Sequence, residues 1–327
     1  SSAASDVYKR QVLFLGECMF QYIKDQWANG RAIYGKKSWR ETRRVILHFL
    51  RTVGHKQEMM EYKAFFESYA PDQHILDKQE GLYELMSRIF LFKESTLRER
   101  IDAVKNHFTA LEDVFTPETI EMLYNPDELK PEGLKQGILL WEDADLNMTA
   151  HLNFMTGQRK EGLFTILLQL GDQGVYHANI RLGKGLEGEP ALWIGTIQGY
   201  KDGLDNAKHI TKKMFGYRPK NFIVFLIREL AKYCKVQSMY AVSDEGFYAN
   251  THMVRGHKAK VAELDPLWED IGGTVTQDPR FFKIPLEEYR KPIEEIKSQK
   301  RSQYRKRYEL LNQYEEQIRE NLKTYLK

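Results

Sequence analysis

Between residues 138 and 199 the chain runs through ILLWED (138–143), MTAHLNFM (148–155), GLFTILLQL (162–170), VYHANIRL (175–182) and ALWIGTIQG (191–199). Each run is short, rich in apolar, β-branched and aromatic residues, and bounded by turn residues, the pattern of consecutive strands. Short links such as GDQG make the last three an antiparallel meander. That block commits the middle of the chain to a sheet, and the flanks must supply what covers it.

On the N-terminal side the period is helical. WRETRRVILHFLRTVG (39–54) sets Val45, Leu47, Phe49 and Leu50 among cations. STLRERIDAVKNHFTALEDVF (95–115) opens on a cap-like Ser95 and repeats Leu97, Ile101, Val104, Phe108 and Leu111 at spacings of three and four, one buried stripe. TPETIEMLYNPDELKPEGLKQG (116–137) gathers Pro117, Pro126, Pro131, Gly133 and Gly137 and reads as a domain boundary. After the meander come helices over 205–215 and 219–233, a strand at 236–242, a short helix around DPLWEDIGG (265–273), a strand at 280–285, and a helix from Pro292 to the end. The expected class is α+β: a helical domain over 12–130, a mixed sheet with flanking helices over 131–291, and a long C-terminal helix, 292–327, packed on the body. Residues 1–11, SSAASDVYKRQ, resemble translated adapter or vector sequence and are set aside from fold reasoning.

The motifs exclude more than they assign. GKGLEG (183–188) matches G-x-G-x-x-G but falls between two strands, where no helix N-terminus can meet a pyrophosphate, so it reads as a hairpin loop. His252 and His257 have no carboxylate or cysteine at ligand spacing, and no metal is expected. No G-x-S-x-G elbow occurs, and Cys234 ends a helix, where a buried thiol is the ordinary role. With only Cys18 and Cys234, and no apolar run of membrane-spanning length, the expected setting is cytoplasmic, at most peripheral to an inner membrane.

Two basic segments stand out. In KKMFGYRPKN (212–221), Gly216 can end one helix and Pro219 begin the next, placing Tyr217, Arg218, Lys220 and Asn221 around a helix N-terminus suited to phosphate or carboxylate; Gln198 closes the strand that faces this cleft. KSQKRSQYRKR (297–307) carries six cations and no acid. At about 100° per residue, Tyr304, Tyr308, Leu311, Ile318 and Leu322 share one helix face, and Lys297, Lys300, Arg301 and Arg307 flank the same line. These four are expected to face the body or the cleft edge, paired with acids or an anionic ligand. Nucleic acid is not the expected partner, because 49 Lys and Arg against 46 Asp and Glu leave a net charge of only +3 and no recognition module is present.

KEGLFTILLQL (160–170), LWIGTIQG (192–199), ITKKMFGYRPKNF (210–222), LWEDIGG (267–273), FFKIP (281–285) and EIKSQKRSQYRKRYELL (295–311) follow one another as in the bacterial VirK/YbjX family, which the chain resembles over nearly its whole length. The resemblance implies a Gram-negative protein linked to virulence, antimicrobial-peptide resistance and envelope homeostasis. A weaker resemblance is to the acyl-CoA N-acyltransferase fold, with a meander, helix, strand, then LWEDIGG before a further strand. YKDGLDNAKH does not supply that fold's pyrophosphate loop, and Trp268 stands where its proton-donating Tyr would be. Acetyl-CoA is therefore not the expected donor. A different acyl or anionic donor and an envelope precursor are, with a non-catalytic holder of an anionic ligand as the alternative.

Overall fold

The computed structural model describes residues 19–35, 37–125, 137–200, 203–250 and 263–327. The N-terminal region is helical: α1 over 19–34, α2 (Trp39–Val53), α3 (Lys56–Glu67), α4 (Ile75–Lys78), α5 (Gly81–Ser87), α6 (Leu97–Val114) and α7 (Pro117–Tyr124). Capping boxes start α2 and α6, with Ser38 and Thr96 accepting from the amides of Glu41 and Glu99, whose carboxylates reach back to the cap amides. The cap of α6 is thus Thr96, one place after the expected Ser95, whose hydroxyl instead donates to the Phe90 carbonyl at 2.7 Å. Ile101, Val104, Phe108 and Leu111 are fully buried, as their spacing requires. Part of the supposed boundary is also helix, since Thr116 caps α7 and Pro117 opens it. Residues 126–136 lie outside the described residues.

Strands β1 (Ile138–Asp143), β2 (Met148–Asn153), β3 (Phe164–Leu170), β4 (Gln173–Lys184) and β5 (Pro190–Gly199) form the meander, each antiparallel to the next. GKGLEG is the β4–β5 hairpin. Helices α8 (Gly203–Lys213) and α9 (Pro219–Tyr233) then lead into β6 (Ser238–Val242), which lies parallel to β5. After α10 (Asp265–Asp270), the two-residue β7 (Thr274–Val275) and β8 (Phe281–Ile284) complete an eight-stranded mixed sheet of order β1-β2-β3-β4-β5-β6-β8-β7. Strand β7 is too short to register as a period.

The pairing of β5 with β6 runs from Ala191↔Ser238 to Ile194↔Ala241 and stops, while β5 continues to Gly199. Just past that point the main chain of the β2–β3 connection rests on the sheet. A side chain at Gly195 would collide with the Glu161 carbonyl, and one at Gly162 would meet the backbone of Asn179 and Ile180. The same connection is held from outside by α5 and the loops on either side of it. The Leu91 amide donates to the Lys160 carbonyl at 2.7 Å, Arg159 pairs with buried Glu84 of α5, and Thr156 Oγ1 donates to Gln79 at 2.9 Å.

The two faces of the sheet differ. Beneath α9 and the last helix, α11 (Ser298–Leu322), the core is apolar: Trp141 of β1 sits 4.7 Å from Phe222 and 4.8 Å from Tyr314, ring centre to ring centre. The other face carries two rows set by register, Asn153↔Thr165↔Asn179↔Thr196 and His151↔Leu167↔His177↔Gln198. Helix α11 begins at Ser298, because Pro292 introduces a 3₁₀ turn over Ile293–Glu295 instead. Leu311, Tyr314, Ile318 and Leu322 are its buried residues. No described helix is long and apolar enough to cross a membrane.

Candidate functional site

Helix α8 ends in a left-handed turn at Phe215 (φ 52°) and Gly216 (φ 80°), closed by the Gly216 amide on the Thr211 carbonyl at 2.7 Å. Pro219 then opens α9 after Arg218, an extended cap residue whose side chain makes no capping bond. The last turn of α8 and the first of α9 are thereby brought together at the carboxyl end of β5, where Tyr176 pairs with Gly199. A cavity of about 590 Å³ lies there, lined by Tyr176, Lys208, Lys212, Arg218, Lys220 and Gln303 among others. Four cations thus surround one concavity at the N-terminal end of α9. Burial pushes the Lys220 ammonium down, and the carboxylates of Asp244, Asp270 and Glu263 only partly offset this.

The sequence-proposed residues divide. Arg218 and Lys220 line the cavity. Tyr217 is buried beside it and donates to Glu288 at 2.6 Å; Asn221 sits in the first turn of α9, its amide on the Arg218 carbonyl at 2.9 Å. Gln198 lies on the opposite face of the sheet, its amide 3.4 Å from the Glu161 carboxylate. Of the C-terminal cations, Arg307 donates through Nε and Nη2 to the Phe215 carbonyl at 3.2 and 2.8 Å and stacks 4.2 Å from the Tyr304 ring. Arg301 donates to the carbonyls of Ile296 and Glu294, each at 2.9 Å. Lys297 and Lys300 are exposed. Among the described residues none of the four pairs with a carboxylate, so backbone carbonyls take the part expected of acids.

The polar face holds what motif reading missed. Glu161 is buried and accepts from Asn179 Nδ2 at 2.8 Å, Thr165 Oγ1 donates to Asn179 Oδ1 at 2.9 Å, and burial pushes the Glu161 carboxyl up. The signal was present in the strands themselves: TAHLN, HANIR and TIQ each place polar residues at every second position, and FTILLQL adds Thr165 and Gln169 on the same alternation with Leu167 between them. His252 and His257 lie outside the described residues. Cys234 is buried and its thiol is pushed up to about 12, an unreactive environment. Trp268 is fully buried and its indole N–H is committed to the Val242 carbonyl at 2.9 Å.

Residues 37–320 match the family described as "Protein of unknown function (DUF535)". The chain is 27% identical over 248 residues to YbjX of Escherichia coli K12, covering 75% of this chain and 73% of that protein. It is also 27% identical over 238 residues to a Haemophilus influenzae protein, covering 71% and 73%. No solved structure matches. The extent of the match over helices, meander and C-terminal helix places this chain in the DUF535 family, alongside YbjX.

Proposed function

We propose that the protein takes the anionic part of an envelope precursor, or of a group donor other than acetyl-CoA, into the cation-lined cavity between α8 and α9, on a core of acyltransferase type, and so serves envelope homeostasis and antimicrobial-peptide resistance. The observation that carries this reading is the position of Lys208, Lys212, Arg218 and Lys220 around one cavity at the carboxyl end of β5. That end, beyond the last β5–β6 pair, is where open mixed sheets receive ligands. Arg218 offers a planar fork to a phosphate or carboxylate, and the lysines offer point charges. The order of meander, helices, parallel strand, α10 and β8 supports the acyltransferase-type core. Acetyl-CoA is a poor candidate on the acyltransferase resemblance, which would need a glycine-rich phosphate loop that YKDGLDNAKH does not supply and a proton-donating Tyr at the position of Trp268, whose indole N–H is bonded to the Val242 carbonyl.

Native mass spectrometry of the purified protein tests this directly. A retained phosphate- or carboxylate-bearing ligand that is lost in Arg218→Ala supports it, and an Arg218→Ala variant that keeps both ligand and resistance phenotype refutes it. A second reading, a holder of an anionic ligand without catalysis, is favoured by the cavity wall, whose described residues include no carboxylate, imidazole or thiol. Recovery of a chemically altered ligand after turnover separates the two.

A further inference from the structure

Between Asp25 and Glu58 the chain holds eight Lys and Arg and a single carboxylate, Glu41. This stretch alone carries more positive charge than the net +3 of the whole protein. Glu41 is already committed: its carboxylate accepts from the amides of Lys37 and Ser38 at the start of α2, at 2.6 and 3.0 Å. Helix α2 buries only Val45, His48 and Thr52. Its outward side is strongly apolar. At about 100° per residue, Trp39, Ile46, Leu47 and Leu50 fall within one arc with Arg43 among them, and Arg40 and Arg44 run along its edge. All seven are exposed, Trp39 at 77% and Leu50 at 61%. Among the described residues none of these three arginines pairs with a carboxylate. Alongside, α1 carries exposed Phe20, Lys24, Trp27 and Arg31 on one face, and Trp27 packs edge-on against Phe49 of α2, 5.5 Å between ring centres. Scattered exposed apolar residues are ordinary, whereas a strip of them rimmed by cations marks a contact surface.

We propose that this α1–α2 face docks the protein on an anionic phospholipid bilayer, with Trp39, Ile46 and Leu50 entering the boundary between headgroups and acyl chains and Arg40, Arg43 and Arg44 on the lipid phosphates. A helix lying in the plane of an interface needs an apolar wedge with cations beside it, and α2 turns both outward. Guanidinium forks match phosphate oxygens two at a time, and tryptophan favours the headgroup level. Charge decides among the occupants. A nucleic acid would take the arginines but offers nothing to the aliphatic strip. A second copy meeting this face with its own would set arginine against arginine, with Glu41 already bound to its cap. An anionic bilayer answers both parts at once. The C-terminal basic stretch lacks this arrangement, since Arg301 and Arg307 are tied to backbone carbonyls. The face shares no residue with the cation-lined cavity and is read independently of it.

Flotation of the full chain with vesicles of phosphatidylglycerol in phosphatidylethanolamine, against vesicles of phosphatidylcholine alone, tests the face. Binding to the first that weakens as salt is raised, with little binding to the second, is the expected result. Trp141, Trp193 and Trp268 are buried, so a blue shift of the emission on adding anionic vesicles reports Trp27 and Trp39. Arg40→Glu combined with Arg43→Glu should lower the partition coefficient about tenfold or more, and Leu50→Gln by a similar factor. These positions are exposed, so melting temperatures should hold and separate lost binding from lost fold. No binding to the anionic vesicles, equal binding to both kinds, or wild-type binding in both variants overturns the proposal. A concentration-dependent dimer in sedimentation that Leu50→Gln abolishes, without vesicle binding, overturns it in favour of a second copy.

Discussion

Arg181 lies over Trp193, its guanidinium carbon 4.5 Å from the ring centroid, the two being register partners on β4 and β5. Trp193 in turn stacks on Tyr240 of β6 at 4.7 Å and 26°, and the Tyr240 hydroxyl donates to Glu189 at 2.7 Å. Arg181 is 8% exposed and burial pushes its pKa down to about 9. Among the described residues no carboxylate pairs with it. The π face is therefore its main compensation. Trp193→Ala should cost about 3–5 kcal/mol, combining a core cavity with an abandoned buried cation. Arg181→Met, which keeps the volume and removes the charge, should be neutral or stabilising. Urea denaturation of the two variants checks the asymmetry.

Acid should destabilise the fold before its carboxylates titrate. His48 and His177 are held down at about 4 and His107 well below its ordinary value, burial being the first cause in each. A histidine whose folded pKa is depressed contributes stability above the unfolded value of about 6.5, and that stability is lost progressively as the pH falls toward the folded value. His107 has its tautomer fixed, Nδ1 accepting the Leu182 amide at 3.1 Å and Nε2 facing the Tyr124 hydroxyl at 2.7 Å. Unfolding free energies should thus fall from pH 7 to pH 5, and His177→Gln should flatten part of that slope. An unchanged slope in the variant would remove His177 from the account.

Arg307 should matter more than its neighbours in the basic stretch. With Gln303, it supplies the donors that satisfy the Phe215 carbonyl in a left-handed turn. Arg307→Ala should cost about 1–2 kcal/mol, Arg305→Ala no more than about 0.5 kcal/mol, as for an exposed site with no such bond. Thermal melts of the pair rank them.

Gly195→Ala should be among the costliest methyl additions in the chain, about 3 kcal/mol, since its Cβ runs into backbone rather than into a movable side chain. The same change displaces Glu161, so the variant should disturb the polar face as well as the fold. Amide chemical shifts at Asn179 and Gln198 report this.

The strands from 138 to 199 were legible because each is bracketed by turn residues and because β-branched and aromatic residues crowd into runs of strand length. The turn at Gly216–Pro219 was legible for a similar reason, each residue having a restricted conformational use. Which face of the sheet would receive α9 was not. Gln198 and Arg218 are close along the chain's path, yet the pleat turns Gln198 toward Glu161 while Tyr176 shares the cavity with Arg218. The polar rows were equally hard to weigh, because a strand buried on both faces reads as hydrophobic overall and its alternating Thr, His, Asn and Gln look like interruptions. In the C-terminal helix the buried stripe was readable, but Arg301 turns back to carbonyls of the 3₁₀ turn just before the helix and Arg307 reaches the Phe215 carbonyl 92 residues away, and no spacing announces either.

The connection at 156–163 has consequences for how this chain can be cut and exchanged. Its outer side belongs to α5 and the loops flanking it, through Glu84, Gln79 and Leu91, and its inner side belongs to the sheet, through Gly162, Gly195 and Asn179. A chimaera that borrows the helical segment from a relative without this connection would join two halves of different locks, and a fragment starting at residue 137 would leave Glu161 without the props that aim it. Parts of this family should therefore be traded only as sets, helices together with the ten-residue span between β2 and β3.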